Sequence, residues 1–278
     1  MFAFKMMERG LKDYNFLKPF NCDDLIRLGN NFDGGYVVSR EIVRNSDALV
    51  SFGYNYEPSF EYDYIKESPS PVFIYDYSCS SRKLIGRLLE SSLKFILNMR
   101  IRRERPKFYF NTLITHLTFI KNRKVNFFKK KVVGNFLENK AKLFEPTITI
   151  DKIFKEINFK KIIFKCDIEG SEYEIIDEFI KYQDRIGLAV IEFHNLDRDL
   201  KVFNESVRKI LKYFTIIHIH GNNNSTLLKD LNIPCVPEIT FINNKYIKER
   251  ISGNKNFPIE TLDYPNKISE DDLFFNFI

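Results

Sequence analysis

Three acidic residues and one glycine fall within six positions, at a point where an apolar run gives way to a helical pattern. The run at residues 162–164 has the β-branched and aromatic composition of a strand buried on both faces, and Asp167 follows at its carboxyl end. Glu169, Gly170 and Glu172 come next. Carboxylates held at such a point can take a proton from a substrate or bind a divalent cation. Because open α/β sheets bind ligands at the carboxyl ends of their strands, this segment predicts a functional site.

The helix that should follow this turn is marked by apolar residues at helical spacing over positions 173–180. Ser171 and Glu174 have the spacing of a capping box, in which the two side chains bond the first free backbone amides of a helix. Glu172 and Glu174 could therefore serve only to cap and solubilise that helix. For Asp167 the position at the strand end favours a functional role.

A second apolar run, at residues 188–193, also ends in groups that can do chemistry. The two-residue period of a strand puts Glu192 and His194 on one face. Two neighbouring strands would then bring Asp167, Glu192 and His194 into one crevice. His194 could act as a general base with Glu192 orienting it, and the three side chains also offer the mixed ligands that Mg²⁺ or Mn²⁺ accepts.

A third run, at residues 215–220, places His218 and His220 on a common face and continues into a glycine and three asparagines. If this strand lies beside the other two, its end reaches the same crevice. His220, Asn222 and Asn223, together with Glu169 from the first turn, are the predicted substrate contacts here.

The composition places the chain in a broad class. With 278 residues, 44% hydrophobic and 29% charged, it predicts one globular domain. No apolar run approaches the roughly 18 residues that span a bilayer, and the amino terminus lacks the apolar core and cleavage site of a signal peptide. The four cysteines are scattered, without a Cys-x-x-Cys pair, which argues against a zinc knuckle or a disulfide framework. A reduced, cytoplasmic protein is expected.

The charge is unevenly distributed. Residues 80–131 contain 15 Lys or Arg against 2 acids, a local charge of +13, whereas the rest of the chain carries about −7. This segment could be a solvated helix face, or it could bind an anionic substrate such as a sugar diphosphate, with Arg102 and Arg103 as contacts, or an acidic surface. No recognised nucleic-acid motif accompanies it, so a nucleic-acid partner is not expected.

The remaining elements give the order of a nucleotide-binding fold. Residues 1–30 suggest lead-in helices, one of them over 23–28, and a turn with two glycines, Asp33-Gly34-Gly35-Tyr36, then enters a strand. The next two strands end in Ser51-Phe52-Gly53 and in Asp76, which is the start of a doubly wound α/β sheet. We expect one domain over residues 1–278. Its basic insertion over 80–145 should contain a helix over 81–103, less regular structure after Pro106 and a strand within 125–133.

Taken together, the segments resemble the FkbM-like methyltransferases over roughly residues 30–245. The most specific part is Asp167-Ile168-Glu169-Gly170-Ser171-Glu172, which is similar to that family's Asp-x-Glu-Gly-x-Glu signature. The resemblance implies a class I, Rossmann-like fold and the cofactor S-adenosylmethionine, and it implies transfer of a methyl group to a hydroxyl of a sugar or sugar nucleotide, as in surface polysaccharide synthesis.

The resemblance also implies roles for the strand ends. Asp76 would accept hydrogen bonds from the ribose of the cofactor. Gly53, with Ser51 and Phe52, would line its methionine part. This family's fold usually has several glycines in the first loop, and here Gly53 stands alone. The segment Asp33-Gly34-Gly35-Tyr36 could supply the missing close approach of backbone to cofactor.

Two other functions stay open on the sequence alone. A glycosyltransferase or other nucleotide-sugar enzyme is suggested by the basic segment, and its usual Asp-x-Asp metal site would fall on Asp197-Arg198-Asp199, in a predicted loop. A non-catalytic binding module is favoured by the single glycine of the first loop and disfavoured by the acids at the strand ends. The aromatic carboxyl-terminal tail could be a contact surface of a homo-oligomer.

Overall fold

The computed structural model describes residues 14–97, 104–136, 146–228, 231, 233–247, 251, 253 and 256–277. The α-helices in these ranges are α1 (Arg40–Arg44), α2 (Ser59–Glu67), α3 (Ser81–Ile96), α4 (Glu104–Ile120), α5 (Ile150–Glu156), α6 (Glu172–Lys181) and α7 (Leu196–Ile210). The strands are β1 (Leu25–Leu28), β2 (Tyr36–Ser39), β3 (Ala48–Phe52), β4 (Val72–Tyr75), β5 (Val125–Phe128), β6 (Lys131–Val132), β7 (Thr147–Ile148), β8 (Ile162–Cys166), β9 (Ile186–Glu192), β10 (Phe214–Gly221), β11 (Leu227–Leu228), β12 (Ile233–Pro234), β13 (Pro237–Asn243), β14 (Asn256–Phe257) and β15 (Phe275–Asn276).

Seven strands form the central sheet, in the order β10-β13-β9-β8-β3-β4-β5. Strands β5, β4, β3, β8 and β9 are parallel, whereas β13 is antiparallel to both β9 and β10. Parallel neighbours point their carboxyl ends to one edge, so the segments after β3, β4, β8 and β9 all meet there. The class I, Rossmann-like fold predicted from the sequence is confirmed.

The strands are buried on both faces because successive side chains enter two different cores. In β8, for example, Phe164 belongs to one core and Ile163 to the other. Helices α5, α6 and α7 pack on the first side, and α1, α2 and α4 on the second, which is the doubly wound arrangement. Side-chain caps start two of these helices, since Ser39 Oγ accepts from the Ile42 amide and Thr149 Oγ1 from the Lys152 amide.

The basic insertion is smaller and more helical than predicted. Helix α3 follows the expected helix, although positions 98–103, with Arg102 and Arg103, lie outside the described residues. The irregular structure predicted after Pro106 is wrong, because this proline lies near the amino end of α4, where the helix tolerates it. Strand β5 belongs to the central sheet as its edge strand beside β4. The added part is thus the pair α3 and α4, which pack on each other and which we call the basic hairpin.

One prediction for the termini is also wrong. The helix expected over 23–28 is a strand, because β1 pairs antiparallel with β2 over its four residues. In the carboxyl-terminal tail, Phe275 and Phe277 are buried in the same core as the central strands, whereas Phe274 is exposed. The tail is tied down by Asn223, whose side-chain amide donates to the carbonyls of Lys267, Glu270 and Asp271.

His220 helps to hold this tail. Its Nδ1 lies 3.1 Å from Glu238 Oε2, and its Nε2 lies 3.1 Å from Asp272 Oδ1. Burial alone would lower the pKa of His220, but the hydrogen bonds to Asp272 and Glu238 raise it to about 10. A pKa above the unfolded value means that the imidazolium stabilises the fold fully below about pH 6.5 and that this contribution is lost as the pH rises towards 10.

We therefore expect His220→Gln to destabilise the protein more at pH 6 than near pH 9.5. The difference should exceed about 1 kcal/mol, because one pKa unit corresponds to about 1.4 kcal/mol. Free energies of unfolding from denaturant titrations of parent and variant at both pH values measure it. An equal loss at the two pH values would mean that His220 contributes through packing alone.

No helix among the described residues has the length and apolar content that a bilayer span requires.

Candidate active site

The turn after β3 passes very close to the turn after β8. Gly53 has φ +79°, and a Cβ atom placed on it would lie 1.6 Å from the carbonyl oxygen of Asp167. Its amide donates to the carbonyl of Tyr75 at the end of β4. The lone glycine of the first loop is therefore the residue that lets three strand ends converge.

Gly53→Ala is expected to destabilise the fold and to disrupt the site, because the methyl group would displace the Asp167 backbone. Gly86→Ala is the matched control, since Gly86 lies inside α3 with no atom within 4 Å of the added Cβ. Alanine in a helix is favoured over glycine by about 1 kcal/mol, so this control should melt at the same or a higher temperature. Thermal unfolding of both variants tests the pair, and equal melting temperatures for Gly53→Ala and the parent would contradict the close approach.

A cavity of about 380 Å³ opens at these strand ends. It brings together the turn after β3, the segment after β4, the start of β6 and the segment after β8. Its lining consists of Gly53, Asn55, Tyr75, Asp76, Tyr77, Ser78, Lys130, Lys131, Val132, Asp167, Ile168, Glu169 and Ser171. The cavity thus lies where the doubly wound fold is expected to bind a ligand.

Asp76 lies in this cavity, but the protein already uses both of its carboxylate oxygens. One accepts from the amides of Tyr54 and Asn55 at 2.8 and 2.9 Å, and the other from the amide and hydroxyl of Ser78 at 2.7 and 2.6 Å. Although burial alone would raise the pKa of Asp76, these hydrogen bonds lower it. Asp76 is therefore an ionised residue that joins the loops after β3 and β4.

A pair of carboxylates lies beside the cavity. The Tyr36 hydroxyl lies 3.3 Å from Asp167 Oδ2 and 3.0 Å from Glu192 Oε2, and the Asn222 amide donates to Glu192 Oε1 at 2.9 Å. Burial raises the pKa of Asp167 to about 6. Burial, and then the neighbouring Asp167 carboxylate, raise the pKa of Glu192 well above its usual range. A proton or a cation at this pair would therefore be stabilised.

His194 completes this centre as predicted. Its Nδ1 lies 2.9 Å from Glu172 Oε1, while its Nε2 lies 3.8 Å from both Asp167 Oδ1 and Glu192 Oε1 and 3.6 Å from Glu169 Oε2. Burial lowers the pKa of His194, but the Glu172 hydrogen bond and the nearby carboxylates outweigh it and raise the pKa. His194 is thus a basic imidazole, with a buried glutamate at one ring nitrogen and three carboxylates around the other.

The same centre could hold a metal ion. Asp167, Glu192 and His194 each offer one ligand atom, and these atoms lie within 4.8 Å of one another. In the part of the chain that the structure describes, this is the set of three or more His, Cys, Asp or Glu residues whose ligand atoms lie this close together. Two oxygens and one nitrogen suit Mg²⁺ or Mn²⁺, and Glu172 would orient the histidine ligand from behind.

A buried lysine underlies the site. Lys165 Nζ donates to the carbonyl of Gly53 at 2.7 Å and lies 3.7 Å from Glu61 Oε1. Although burial alone would lower its pKa, the carboxylates of Glu61, Asp167 and Glu192 raise it. Lys165 therefore remains charged, fixes the glycine turn and offsets part of the negative charge of the centre.

Several residues predicted to contact the cofactor do not line the cavity. Ser51 is fully buried, with its hydroxyl donating to Glu61 Oε1 at 2.5 Å, and Phe52 packs edge-on against Phe164 in the core. Alternation along β3 points both side chains into the layers on either side of the sheet, so only the following glycine reaches its edge.

The turn at Asp33-Gly34-Gly35 is also separate from the cavity. Arg27 holds it from β1 by donating to the carbonyls of Asn30 and Phe32. The two glycines therefore serve this turn. Tyr36, the next residue, does reach the site, but through its hydroxyl and at the acidic pair.

The predicted substrate contacts divide in a similar way. Glu169 lines the cavity with an exposed side chain, and Asn222 bonds Glu192. His220 and Asn223 instead anchor the tail, because their polar side-chain atoms are engaged with it. Arg102 and Arg103 lie outside the described residues.

Two residues at the site have partners that the sequence did not predict. The predicted capping box is absent, because α6 begins after Ser171 without a side-chain cap. Glu172 instead accepts from the amides of Ile168 and Gly170 and from His194. A signal for Lys165 was present, since a lysine inside a buried strand needs a partner. The cavity residues after β4 and near β6 carry no comparable signal.

The Asp-x-Asp sequence gives no support to a glycosyltransferase metal site. Asp197-Arg198-Asp199 is the first turn of α7, not a loop, and Asp197 is exposed. Neither aspartate lines the cavity.

Residues 113–222 match the sequence profile of the methyltransferase FkbM domain. The match contains Asp167, Glu172, Glu192, His194 and Asn222, and it confirms the resemblance inferred from the sequence. No curated protein matches the chain significantly.

Structurally similar chains include an rRNA methylase from Streptococcus thermophilus, with 10% identity over 73% of this chain and 90% of that chain and a TM-score of 0.39. A precorrin-6y C5,15-methyltransferase from Geobacter metallireducens has 13% identity over 74% of this chain and 88% of that chain, with a TM-score of 0.31. A protein from Streptococcus mutans described as a putative methyltransferase, in complex with SAH, has 10% identity over 73% of this chain and 93% of that chain, with a TM-score of 0.33.

Proposed function

We propose that this chain, an S-adenosylmethionine-dependent methyltransferase with an FkbM domain, methylates a hydroxyl of a sugar or sugar nucleotide in the synthesis of a surface polysaccharide. The observation that carries the proposal is the position of Asp167. This residue both lines the cavity and belongs to the centre with Glu192 and His194. A hydroxyl at that junction would have the donor on one side and a base on the other.

The cavity fits the cofactor by the chemistry of its lining. S-adenosylmethionine, when bound, supplies a methyl group on a positively charged sulfur. The Asp167 carboxylate would favour that charge, and the turn that Gly53 permits brings Asp167 to the wall of the cavity. Asp76, Tyr77 and Ser78 would hold the nucleoside part. A ribose contact at Asp76 would need the Ser78 hydroxyl to give way.

Residues of this chain would then remove the proton of the acceptor hydroxyl. An alcohol must lose its proton as its oxygen becomes methylated, and Nε2 of His194, 3.8 Å from Asp167 Oδ1 and Glu192 Oε1, would be the atom that accepts it. Glu172 holds the other ring nitrogen, which fixes the ring orientation and stabilises the imidazolium that results. Tyr36 and Asn222 would keep the carboxylates in position.

A divalent cation in the same place is the alternative to the general base, because Nε2 of His194 cannot bind a metal ion and accept a proton at once. Asp167, Glu192 and His194 would hold the ion, and its charge would lower the pKa of the acceptor hydroxyl. We propose Mg²⁺ or Mn²⁺ as the ion, because the ligands are mainly oxygen.

Two measurements test the function in sequence. S-adenosylmethionine should raise the melting temperature of the purified protein, since a ligand that binds the native state stabilises it. Transfer of a radiolabelled methyl group should then be measured with a panel of free sugars, nucleotide sugars, and catechol as a hydroxyl acceptor that is not a sugar. Labelling of a sugar or nucleotide sugar supports the proposal. Labelling confined to catechol would overturn the sugar assignment, and a lack of any thermal shift would overturn the cofactor assignment.

A further inference from the structure

The basic hairpin has an apolar stripe on its outer surface. Ile85, Leu89, Leu93 and Ile96 recur at intervals of four, four and three residues, so they share one face of α3. Their exposed fractions are 43, 65, 58 and 76%. Nine of the sixteen large apolar side chains that are exposed among the described residues lie between positions 85 and 114. A concentration of this kind marks an interaction surface.

Helix α4 also carries exposed apolar side chains. Phe110 and Ile114 are one helical turn apart on α4, and 52 and 48% of their surface is exposed. Other apolar residues of the two helices are buried, among them Leu84 on α3 and Leu113 on α4. The exposed apolar residues form a separate face.

Basic side chains accompany this apolar surface. The two helices carry six of them against two acids, Glu90 and Glu104. The basic residues are Arg82, Lys83, Arg87, Lys94, Arg105 and Lys107. Arg87, Lys94 and Arg105 line one small hollow between the helices, together with Glu90, which forms an ion pair with Lys94. The hairpin thus combines a net positive charge with an exposed apolar face.

We propose that the basic hairpin docks this protein on an anionic lipid bilayer surface. An amphipathic helix whose polar side is rich in Lys and Arg lies in the plane of such a surface, with its apolar side among the acyl chains and its cations at the head groups. A second copy of the chain would complement the stripe but would bring two positively charged hairpins together, which is unfavourable. The charge therefore favours lipid over self-association. This inference is independent of the proposed reaction.

Sedimentation of the full-length protein with vesicles tests the docking. Phosphatidylcholine vesicles that contain about 30% phosphatidylglycerol should bind the protein, and pure phosphatidylcholine vesicles should bind about tenfold less, with binding weakened at high ionic strength. The double variant Leu89→Glu/Leu93→Glu should lose about tenfold or more of the binding to the anionic vesicles. Both leucines are exposed, so the variant should fold, and circular dichroism verifies this.

Ile268→Glu is the matched control, because Ile268 is 74% exposed but lies in the carboxyl-terminal tail. It should bind vesicles like the parent. The proposal is overturned if the parent ignores anionic vesicles, if both variants lose binding equally, or if the double variant binds unchanged. It is also overturned if the parent does not bind vesicles but forms a dimer that the double variant abolishes, because the stripe is then an interface between copies of the chain. None of these readouts depends on methyl transfer.

Discussion

His194→Ala is expected to lower the rate of methyl transfer by about 10²- to 10⁴-fold, the range contributed by a positioned general base. Binding of S-adenosylmethionine should change little, because His194 does not line the cavity. The physical reason is the arrangement of the ring, with Nδ1 held by Glu172 and Nε2 facing the acidic pair. Initial rates with saturating acceptor and calorimetric titration with the cofactor separate the two effects.

Glu172→Gln sharpens this test, because it removes the charge behind the imidazole and keeps the size of the side chain. We expect a rate loss of about tenfold or more, from a less basic histidine and a less stabilised imidazolium. Glu174→Gln is the matched control, since Glu174 is exposed on the same helix, two residues away. Loss of cofactor binding in His194→Ala would contradict the assignment, as would equal rates for Glu172→Gln and Glu174→Gln.

The convergence of Asp167, Glu192 and His194 could be predicted because it depends on strand order and register alone. Once β8 and β9 are parallel neighbours, with Cys166 opposite Ile191, the residues that follow must meet at one edge. The apolar runs and their polar ends are local features, and they are legible in the sequence. The same logic correctly placed Asp76 after β4.

The partnership of Glu172 with His194 could not be predicted in this way. It depends on a turn in which Glu169 has φ +57° and Gly170 has φ +104°, and this turn folds the start of α6 back beneath the strand end. A glutamate in the left-handed region is uncommon, and propensity gives no reason to expect one. A serine followed by a glutamate three residues later instead suggested a cap. Tertiary packing therefore determined that Glu172 contacts His194 and that Glu174 does not cap the helix.

The prediction that the Asp33-Gly34-Gly35 turn approaches the cofactor failed for a related reason. Asp33-Gly34-Gly35 and Gly53 have the same local signature, namely a backbone that can approach another group closely. For Gly53 the other group is Asp167, at the cavity, whereas for Gly35 it is the chain around Arg27 and Asn30. A glycine in the sequence indicates that another group packs closely against the backbone there, but it does not show which group this is. The basic insertion was overestimated because β5 is short and follows directly on basic residues.

If His194 is a metal ligand and not the base, removal of divalent metal is expected to abolish turnover, and addition of Mg²⁺ or Mn²⁺ should restore it. Asp167 and Glu192 lie close enough for burial and mutual repulsion to raise the pKa of Glu192, and the atoms they offer lie with His194 inside 4.8 Å. A cation would neutralise this pair and lower the pKa of the acceptor hydroxyl in one step. Tyr36 and Asn222 satisfy only part of the hydrogen-bonding capacity of the two carboxylates, so room for a metal bond remains.

The metal should also be detectable without catalysis. Mn²⁺ binding, followed by electron paramagnetic resonance, should be strong in the parent and weakened by Glu192→Gln, because a ligand and its charge are lost. Asp197→Asn is the matched control, since this exposed acid at the start of α7 lies outside the three-ligand cluster. Full activity in EDTA together with an inactive His194→Ala would instead establish a metal-free mechanism, in which the Glu172-oriented imidazole alone removes the proton and the acidic pair is held by Tyr36, Asn222 and a shared proton.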